Sequence, residues 1–489
     1  MPDRGPDRRW LWLCACAQCI EARSRIGIGK RVNAMRKTLL CLSVASLLGG
    51  CGALLETPYE RPAIALPDSW DAQRGPAAAV ASQTDRWWEV FGDQQLDRLV
   101  ERVLERNADL AAAAIRLQAA RLQAGLAQTN LTPDFSAGGN GSVSKNLGHG
   151  SPSQRTYGTS LNIAYELDLW GKLARTRDAA TWAAQATAFD LESTELSLIG
   201  TTAATYWSIA ELNAKLADAQ ADVSDARRVE ALVLSRYRAG ADGMAELALA
   251  RRTVATNQAN YEGLLQQRET QRKALAILLN DLLPSAEIED FVLPDVPLPD
   301  VRPGLPASVL AQRPDVAAAE ARIRNSLATH DAKKASFFPT LSLTGSLGTS
   351  SRDLGQVLTN PIGTLGAGLA LPFLQWNTVR LNVGISRTDY EASVVAYRKT
   401  LYQAFAEVDE ALSMRESLAR EGDQLALAME QAKKAEAISA ARYRVGKSNI
   451  RFWLDDQQTL RQVRASVVSN RLSRLRAQMT LYQALGGAA

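Results

Sequence analysis

After residue 51 the chain contains no cysteine, and its whole length holds only two histidines, His149 and His330. The first absence excludes internal disulfides, cysteine metal sites and thiol nucleophiles from most of the protein. The second leaves little material for imidazole catalysis or a His-rich metal site. No stretch after Cys51 reaches 18 consecutive apolar residues, so no membrane-crossing helix is expected. Glycine (32) and proline (18) are too scarce for a fibrous or low-complexity protein, and a hydrophobic content of 46% excludes a largely disordered one. No Gly-rich phosphate loop, HExxH or GxSxG motif occurs. Asp455 and Asp456 are adjacent, so on a helix they point apart and form no acid/base pair. No enzyme is expected. The net charge of +4 comes from the start of the chain, where residues 1–50 carry nine basic and three acidic side chains and leave −2 for the remainder. That distribution gives no reason to expect a nucleic-acid partner.

What is present begins with Met35-Arg36-Lys37, a short basic segment, followed by an apolar stretch from Thr38 to Leu48. That stretch is too short to span a bilayer. It runs into Leu48-Gly49-Gly50-Cys51, which resembles the lipobox of bacterial lipoproteins, in which the cysteine becomes the acylated first residue. The alternative is a plain secretory signal with an incidental cysteine. The reading here is an upstream extension (1–34), a signal peptide (35–50) and a mature chain beginning at a lipid-bearing Cys51. Cys14, Cys16 and Cys19 have metal-like spacing, but no ligand pair follows them. Residues 52–82, with Pro58, Pro62 and Pro67, read as an extended linker.

The body of the chain repeats itself. Asp109 matches Asp315, Pro133 matches Pro339, and Gly139 matches Gly345. Arg236-Tyr237-Arg238-Ala239-Gly240 matches Arg442-Tyr443-Arg444-Val445-Gly446, and Leu279 matches Leu485. Every offset is 206 (315 less 109, 443 less 237). A single offset over so long a stretch marks an internal duplication rather than a solenoid. The units are expected at 93–290 and 291–489, after a lipid-bearing N-terminus and linker at 51–92. Each unit reads as helix, two strands, long helix, shorter helix. The expected helices are 94–130, 172–238 and 246–280, then 308–335, 378–444 and 450–485. The longest of them is roughly 100 Å at 1.5 Å per residue, too long for a compact globule.

The expected strands are 134–144, 157–169, 340–348 and 365–373. In 157–169 the apolar Leu161, Ile163, Tyr165, Leu167 and Leu169 alternate with Ser160, Asn162, Ala164, Glu166 and Asp168. In 340–348, Leu341, Leu343 and Leu347 alternate with serines and threonines. Strands of about 10 residues with this period mark a transmembrane β-barrel, although a half-buried soluble sheet gives the same alternation. Four strands cannot close a barrel, and an open edge is not tolerated in lipid, so closure requires several copies.

Taken in order, the lipobox, Trp87-Trp88-Glu89-Val90-Phe91-Gly92-Asp93, Tyr165-Glu166-Leu167-Asp168-Leu169-Trp170-Gly171-Lys172 and the paired Arg-Tyr-Arg-x-Gly motifs resemble the TolC-like outer-membrane efflux proteins. The branch is that of the NodT-type lipoproteins serving resistance–nodulation–division pumps, and the resemblance covers about residues 51–487. It implies a mainly α fold with a small transmembrane β part. Three copies would form an α-helical tunnel topped by a 12-stranded β-barrel. It further implies outer-membrane lipid around the barrel and diacylglycerol and N-palmitoyl groups on Cys51, with no other cofactor. The implied partners are a periplasmic membrane-fusion adaptor and an inner-membrane pump, and the implied role is passive export. Tyr237–Gly240 and Tyr443–Gly446 would be the tips that meet the adaptor, and a glycine there is also the ordinary way to end a long helix. The resemblance assigns a closed periplasmic gate to Tyr443, Arg451, Phe452 and Asp455. Arg451 stands where related lipoproteins carry a leucine constriction, and Phe452 where another branch has an acidic group. Asp455 is otherwise a solvated surface charge. The competing reading of the whole chain is a periplasmic coiled-coil adaptor or scaffold lipoprotein, and a secreted hydrolase lacks a nucleophile–base pair. His330 is expected at the surface, and His149 in the loop between the first two strands.

Overall fold

The computed structural model describes residues 55–63, 67, 70, 86–145, 147, 148, 152–283, 285–294, 298, 301 and 306–487. Cys51, the signal segment, Cys14, Cys16, Cys19 and His149 lie outside the described residues. The main elements are α1 (Gln94–Arg106), α2 (Ala108–Thr129), β1 (Asp134–Ser144), β2 (Gln154–Leu167), α3 (Lys172–Arg238) and α4 (Met244–Leu279), then α5 (Pro314–Ala335), β3 (Thr340–Ser351), β4 (Pro361–Ala370), α6 (Trp376–Arg444) and α7 (Ile450–Ala484). The chain divides into two compact units, one holding the four strands and the other nearly all of the helices.

In the helical unit, α3 and α6 run 67 and 69 residues, so each is about 100 Å long. No proline interrupts either helix. Small residues such as Ala179, Ala184, Ala186, Ala203 and Ala210 sit on the buried side of α3. The expected first helix, 94–130, is broken in two. Asn107 leaves the helical conformation and its side chain accepts from the Asp109 and Leu110 backbone N–H groups, while its Nδ2 donates to the Leu278 carbonyl. An asparagine offers the backbone an alternative partner of this kind, and here that competition wins.

The Trp87-to-Asp93 motif packs the helical core. Trp87, Trp88 and Phe91 are buried, and Phe91 meets Trp207 edge-on at 4.9 Å. Gly92 takes the left-handed conformation (φ 64°) that turns the chain into Asp93, which caps α1. The buried Tyr206 hydroxyl donates to Asp93 Oδ2 at 2.8 Å. Burial first, and the carboxylate beside it second, push this phenol above its ordinary range.

His330 is buried rather than at the surface, with Nδ1 2.8 Å from Ser386 Oγ, and its neighbour Asp331 is buried too. The face of α5 that carries them packs inward because Val316, Ile323 and Leu327 lie on the same side.

In the strand unit, one antiparallel sheet runs in the order β1-β2-β3-β4. Its register places like on like, with Ala137 opposite Leu161, Leu161 opposite Leu347, Tyr165 opposite Leu343, and Leu341 opposite Leu369. Directly opposed residues share a face, so the apolar sets of all four strands form one side of the sheet. Ser136, Asn162 and Ser346 line the other. The apolar side is open in the single chain, with Phe135 65%, Leu347 56% and Leu365 93% exposed. Trp170, from the second sequence motif, donates from Nε1 to the Pro339 carbonyl and stacks near Phe338, while Lys172 pairs with Glu166 at 2.7 Å.

Candidate functional site

The two Arg-Tyr-Arg-x-Gly motifs end the two long helices, and both ends have the same geometry. Gly240 (φ 72°) and Gly446 (φ 74°) adopt the left-handed conformation. The Gly240 N–H donates to the Tyr237 carbonyl and the Ala241 N–H to Arg236. In the second repeat the Gly446 N–H donates to Tyr443 and the Lys447 N–H to Arg442. This is the Schellman closure, which satisfies the last carbonyls of a helix and favours a residue without a Cβ at the left-handed turn position. The next helices start at once. Gly243 N donates to Glu246 Oε2 at 3.1 Å, and Asn449 Oδ1 accepts from Arg451 N at 2.8 Å.

The two tips are tied to each other. Tyr443, 1% exposed, donates from its hydroxyl to Asp242 Oδ2 at 2.6 Å. Arg236 Nε reaches the same oxygen at 3.0 Å, and its guanidinium lies 4.8 Å from the Tyr443 ring centre. Asn449 Nδ2 donates to Glu246 Oε1 at 3.0 Å. Beneath these polar ties lies a small apolar core of Val229, Val233, Leu247, Ile450, Trp453 and Leu454. Trp453 packs against Tyr443 with ring centres 5.6 Å apart and anchors its Nε1 on Glu436. Burial, then the hydrogen bond to Asp242, raises the Tyr443 phenol above its ordinary range. Hydrogen bonds from its own backbone, from Asn449 and from Gly243 hold the Glu246 carboxyl below the usual carboxylate range.

The remaining site residues lie on the first turns of α7. Arg451 and Asp455 form an exposed pair at 3.8 Å, with side chains 77% and 70% accessible, and Phe452 is 64% exposed beside them. Tyr237 is 37% exposed. The structure therefore groups Arg451, Phe452 and Asp455 on one open face and places Tyr443 in the packed junction between tips. Sequence reasoning missed Asp242, Glu246, Asn449 and Trp453. Their signal was a departure from the repeat, since Asp242 is matched by Ser448 and Glu246 by Phe452. Among the described residues no helix is long and apolar enough to cross a membrane, and no group of three potential metal ligands occurs.

The sequence profile described as "Outer membrane efflux protein" matches residues 99–281 and again 305–487. The second match lies 206 residues after the first (305 less 99, 487 less 281), the same offset as the internal repeat. The chain is 32% identical over 404 residues to toxin and drug export protein A of Aggregatibacter actinomycetemcomitans, covering 82% of this chain and 88% of that protein. It is 32% identical over 434 residues to the pyoverdine export outer membrane protein OpmQ of Pseudomonas putida, covering 87% and 92%. Among solved structures, the open state of the Neisseria gonorrhoeae MtrE outer membrane channel superposes with a TM-score of 0.75 at 29% identity, covering 88% of this chain and 97% of that one. The Campylobacter jejuni CmeC outer membrane channel shares the fold with a TM-score of 0.80 at 24% identity, covering 88% and 94%.

Proposed function

The chain belongs to the outer membrane efflux protein family, and from that membership we propose that three copies assemble into one conduit from the periplasm through the outer membrane. It is the outer-membrane channel component of an efflux system. An inner-membrane pump supplies the driving force, a periplasmic adaptor joins the two, and the channel itself passes its cargo without catalysis. The observation that carries the assembly is the four-stranded sheet, with one predominantly apolar face and with β1 and β4 each at an outer edge. An open strand edge in lipid leaves backbone groups unsatisfied at several kcal/mol each, which closure removes. Two copies would give a barrel of eight strands filled by side chains, whereas three give twelve and leave a lumen. A periplasmic adaptor has no use for such a sheet.

The domain reading follows: a lipid-bearing N-terminus at 51–92 and two efflux repeats at 93–290 and 291–489. Cys51 carries diacylglycerol and N-palmitoyl groups, several chains being needed for a stable anchor. The turns at Tyr237–Gly240 and Tyr443–Gly446 meet the adaptor. The Tyr443–Asp242 tie holds the tip closed, and Arg451, Phe452 and Asp455 face the aperture. The named relatives export pyoverdine and toxins or drugs, so cargo differs while the conduit is shared, and selection belongs to the pump.

Purified protein reconstituted in planar bilayers should show stepwise ion conductance and sediment as three chains. A preparation that sediments as single chains and gives no conductance overturns the reading.

A further inference from the structure

Farther along the helices from the tips, α7 meets α3 through charges that are poorly matched. The Arg464 guanidinium lies 3.4 Å from Asp218 Oδ1 and 3.7 Å from Asp222 Oδ1. A well-formed charged pair stands at roughly 2.7–2.9 Å, so one cation is spread loosely over two carboxylates. One turn nearer the tip, Arg461 makes no ion pair among the described residues, and its Nη2 donates to the Gln458 side chain at 2.8 Å. Burial lowers the Arg461 guanidinium from its ordinary value; Asp222 opposes that and Arg464 adds to it. Burial also raises the Asp222 carboxyl, and the two arginines counter it only in part. Arg461 and Asp222 are therefore opposite, partly desolvated charges without a close partner, an arrangement whose cost pairing would relieve. Both line one cavity of about 330 Å³, together with Thr256, Asn257 and Gln462, so α7 has room to shift. Lys215, the third cation there, is held by Glu211 at 2.8 Å. Asp222 is fixed on the first hairpin, where Asn257 Nδ2 donates to its backbone carbonyl at 3.2 Å and Arg251 ties α4 to Glu230 of α3.

Helix α3 ends at the tips and α7 begins there, so Asp222 and Arg461 are the members nearer the tip and Asp218 and Arg464 the farther ones. Matched in that order, the four groups make two separate pairs, Arg461 with Asp222 and Arg464 with Asp218. The structure holds them otherwise, and in it the Tyr443–Asp242 tie is made. We propose that release of this tie lets α7 shift against α3 until Arg461 takes Asp222 and leaves Asp218 to Arg464, and that the exchange is a catch that stabilises the open tip. The two new pairs offset part of what breaking the Tyr443 hydrogen bond costs. One packed element with two discrete arrangements, each held by its own contacts, is what a two-state opening requires. Arg461 is a positioning residue, acting through the placement of α7. The catch rests on the reading that the Tyr443–Asp242 tie holds the tip closed and adds what holds it open.

The test uses the full-length protein with Tyr443→Phe as background, because that change releases the tie and leaves the four charges in place. Arg461→Gln or Asp222→Asn, added to it in preparations that sediment as three chains, should bring bilayer conductance down severalfold toward that of the parent. Either variant alone suffices should the other fail to assemble. The two together should lower conductance no further than one does, since they remove the same pair. Arg461→Lys keeps the charge and should retain most of the gain. Tyr443→Phe/Arg461→Gln conducting as strongly as Tyr443→Phe overturns the catch and leaves the tie standing. Strictly additive losses overturn it too, and so does a lysine variant that loses the gain as fully as glutamine, because the side chain then serves packing and not a charge pair. A Tyr443→Phe variant that conducts no more than the parent overturns the tie and the catch together.

Discussion

Tyr443 and Asp242 lie 201 residues apart in the chain and 2.6 Å apart in space, the phenol donating to the carboxylate across the junction of two helical tips. The tie is specific because the ring is already fixed: Trp453 packs on one side and the Arg236 guanidinium lies over the ring. A hydrogen bond to a charged acceptor contributes about 1.5–3 kcal/mol. Tyr443→Phe keeps the packing and deletes only that bond, while Asp242 retains Arg236. The variant should assemble as well as the parent and conduct more in planar bilayers. The pH dependence has a definite sign. Burial and the neighbouring carboxylate raise the Tyr443 phenol, so its neutral, donating form persists above the ordinary tyrosine range near 10. A group shifted upward gives its full contribution below the ordinary value and loses it only as pH climbs through the raised one. The conductance difference between parent and Tyr443→Phe should therefore stay level from about pH 7 to about pH 9.

The sheet gives a test that separates its two faces. Leu365 stands at the middle of β4, 93% exposed and on the apolar side, and its neighbour Thr364 points to the other face. Placing arginine on the lipid face near mid-depth of a barrel costs about 2–4 kcal/mol per copy, and every copy in the assembly would bear it. Leu365→Arg should sharply reduce the amount of protein recovered in the outer membrane. Thr364→Arg should insert normally and alter single-channel conductance instead. Equal insertion of both variants would mean that the two faces have been assigned the wrong way round.

How much of this was legible beforehand depended on whether the signal was local. The long helix expected at 172–238 is Lys172–Arg238, and the one expected at 378–444 is Trp376–Arg444; helix-forming residues without proline, ended by glycine, decide such an element by themselves. The strand alternation was legible for the same reason, and the register then stacked the apolar positions across all four strands. The break at Asn107 was not legible, because an asparagine in a helical stretch ends it only when a partner such as the Leu278 carbonyl stands in reach. The burial of His330 escaped notice likewise, since its partner Ser386 comes from another helix. At the tips, the Tyr and Gly of each motif were visible as a repeated pattern. Asp242 and Glu246 were not, because what distinguishes them is that their counterparts in the second repeat are different residues.

Within the helical unit, Arg324 holds the segment around Tyr59 against the long helix α3. Its guanidinium lies 4.5 Å from the Tyr59 ring centre and 4.7 Å from that of Trp182, while Glu320 pairs with both Arg324 and Arg61. A planar guanidinium fits between two rings in a way that an ammonium cannot. Arg324→Lys keeps the charge but should release the segment around Tyr59. A glutamyl endopeptidase cutting after Glu56 or Glu60 should then cleave the folded variant several times faster than the parent, with cleavage elsewhere unchanged. Equal rates would show that the stacking does not hold the segment.

Asp455 tests the aperture. Its only ion pair among the described residues is the exposed contact with Arg451 one turn away, at 3.8 Å. Such a pair on a helix surface contributes roughly 0.3–0.5 kcal/mol, so stability gives little reason for the residue. In a ring of three copies, by contrast, three carboxylates brought around one axis would repel one another, attract cations or lean on neighbouring arginines, each of which alters ion passage. Asp455→Ala should leave the thermal unfolding midpoint of the protein almost unmoved and should raise ion conductance in bilayers. Asp455→Asn, which keeps the shape and removes the charge, should act in the same direction if charge is what matters. A conductance indistinguishable from the parent in both variants would take Asp455 out of the gate and return it to the ordinary charged surface of α7.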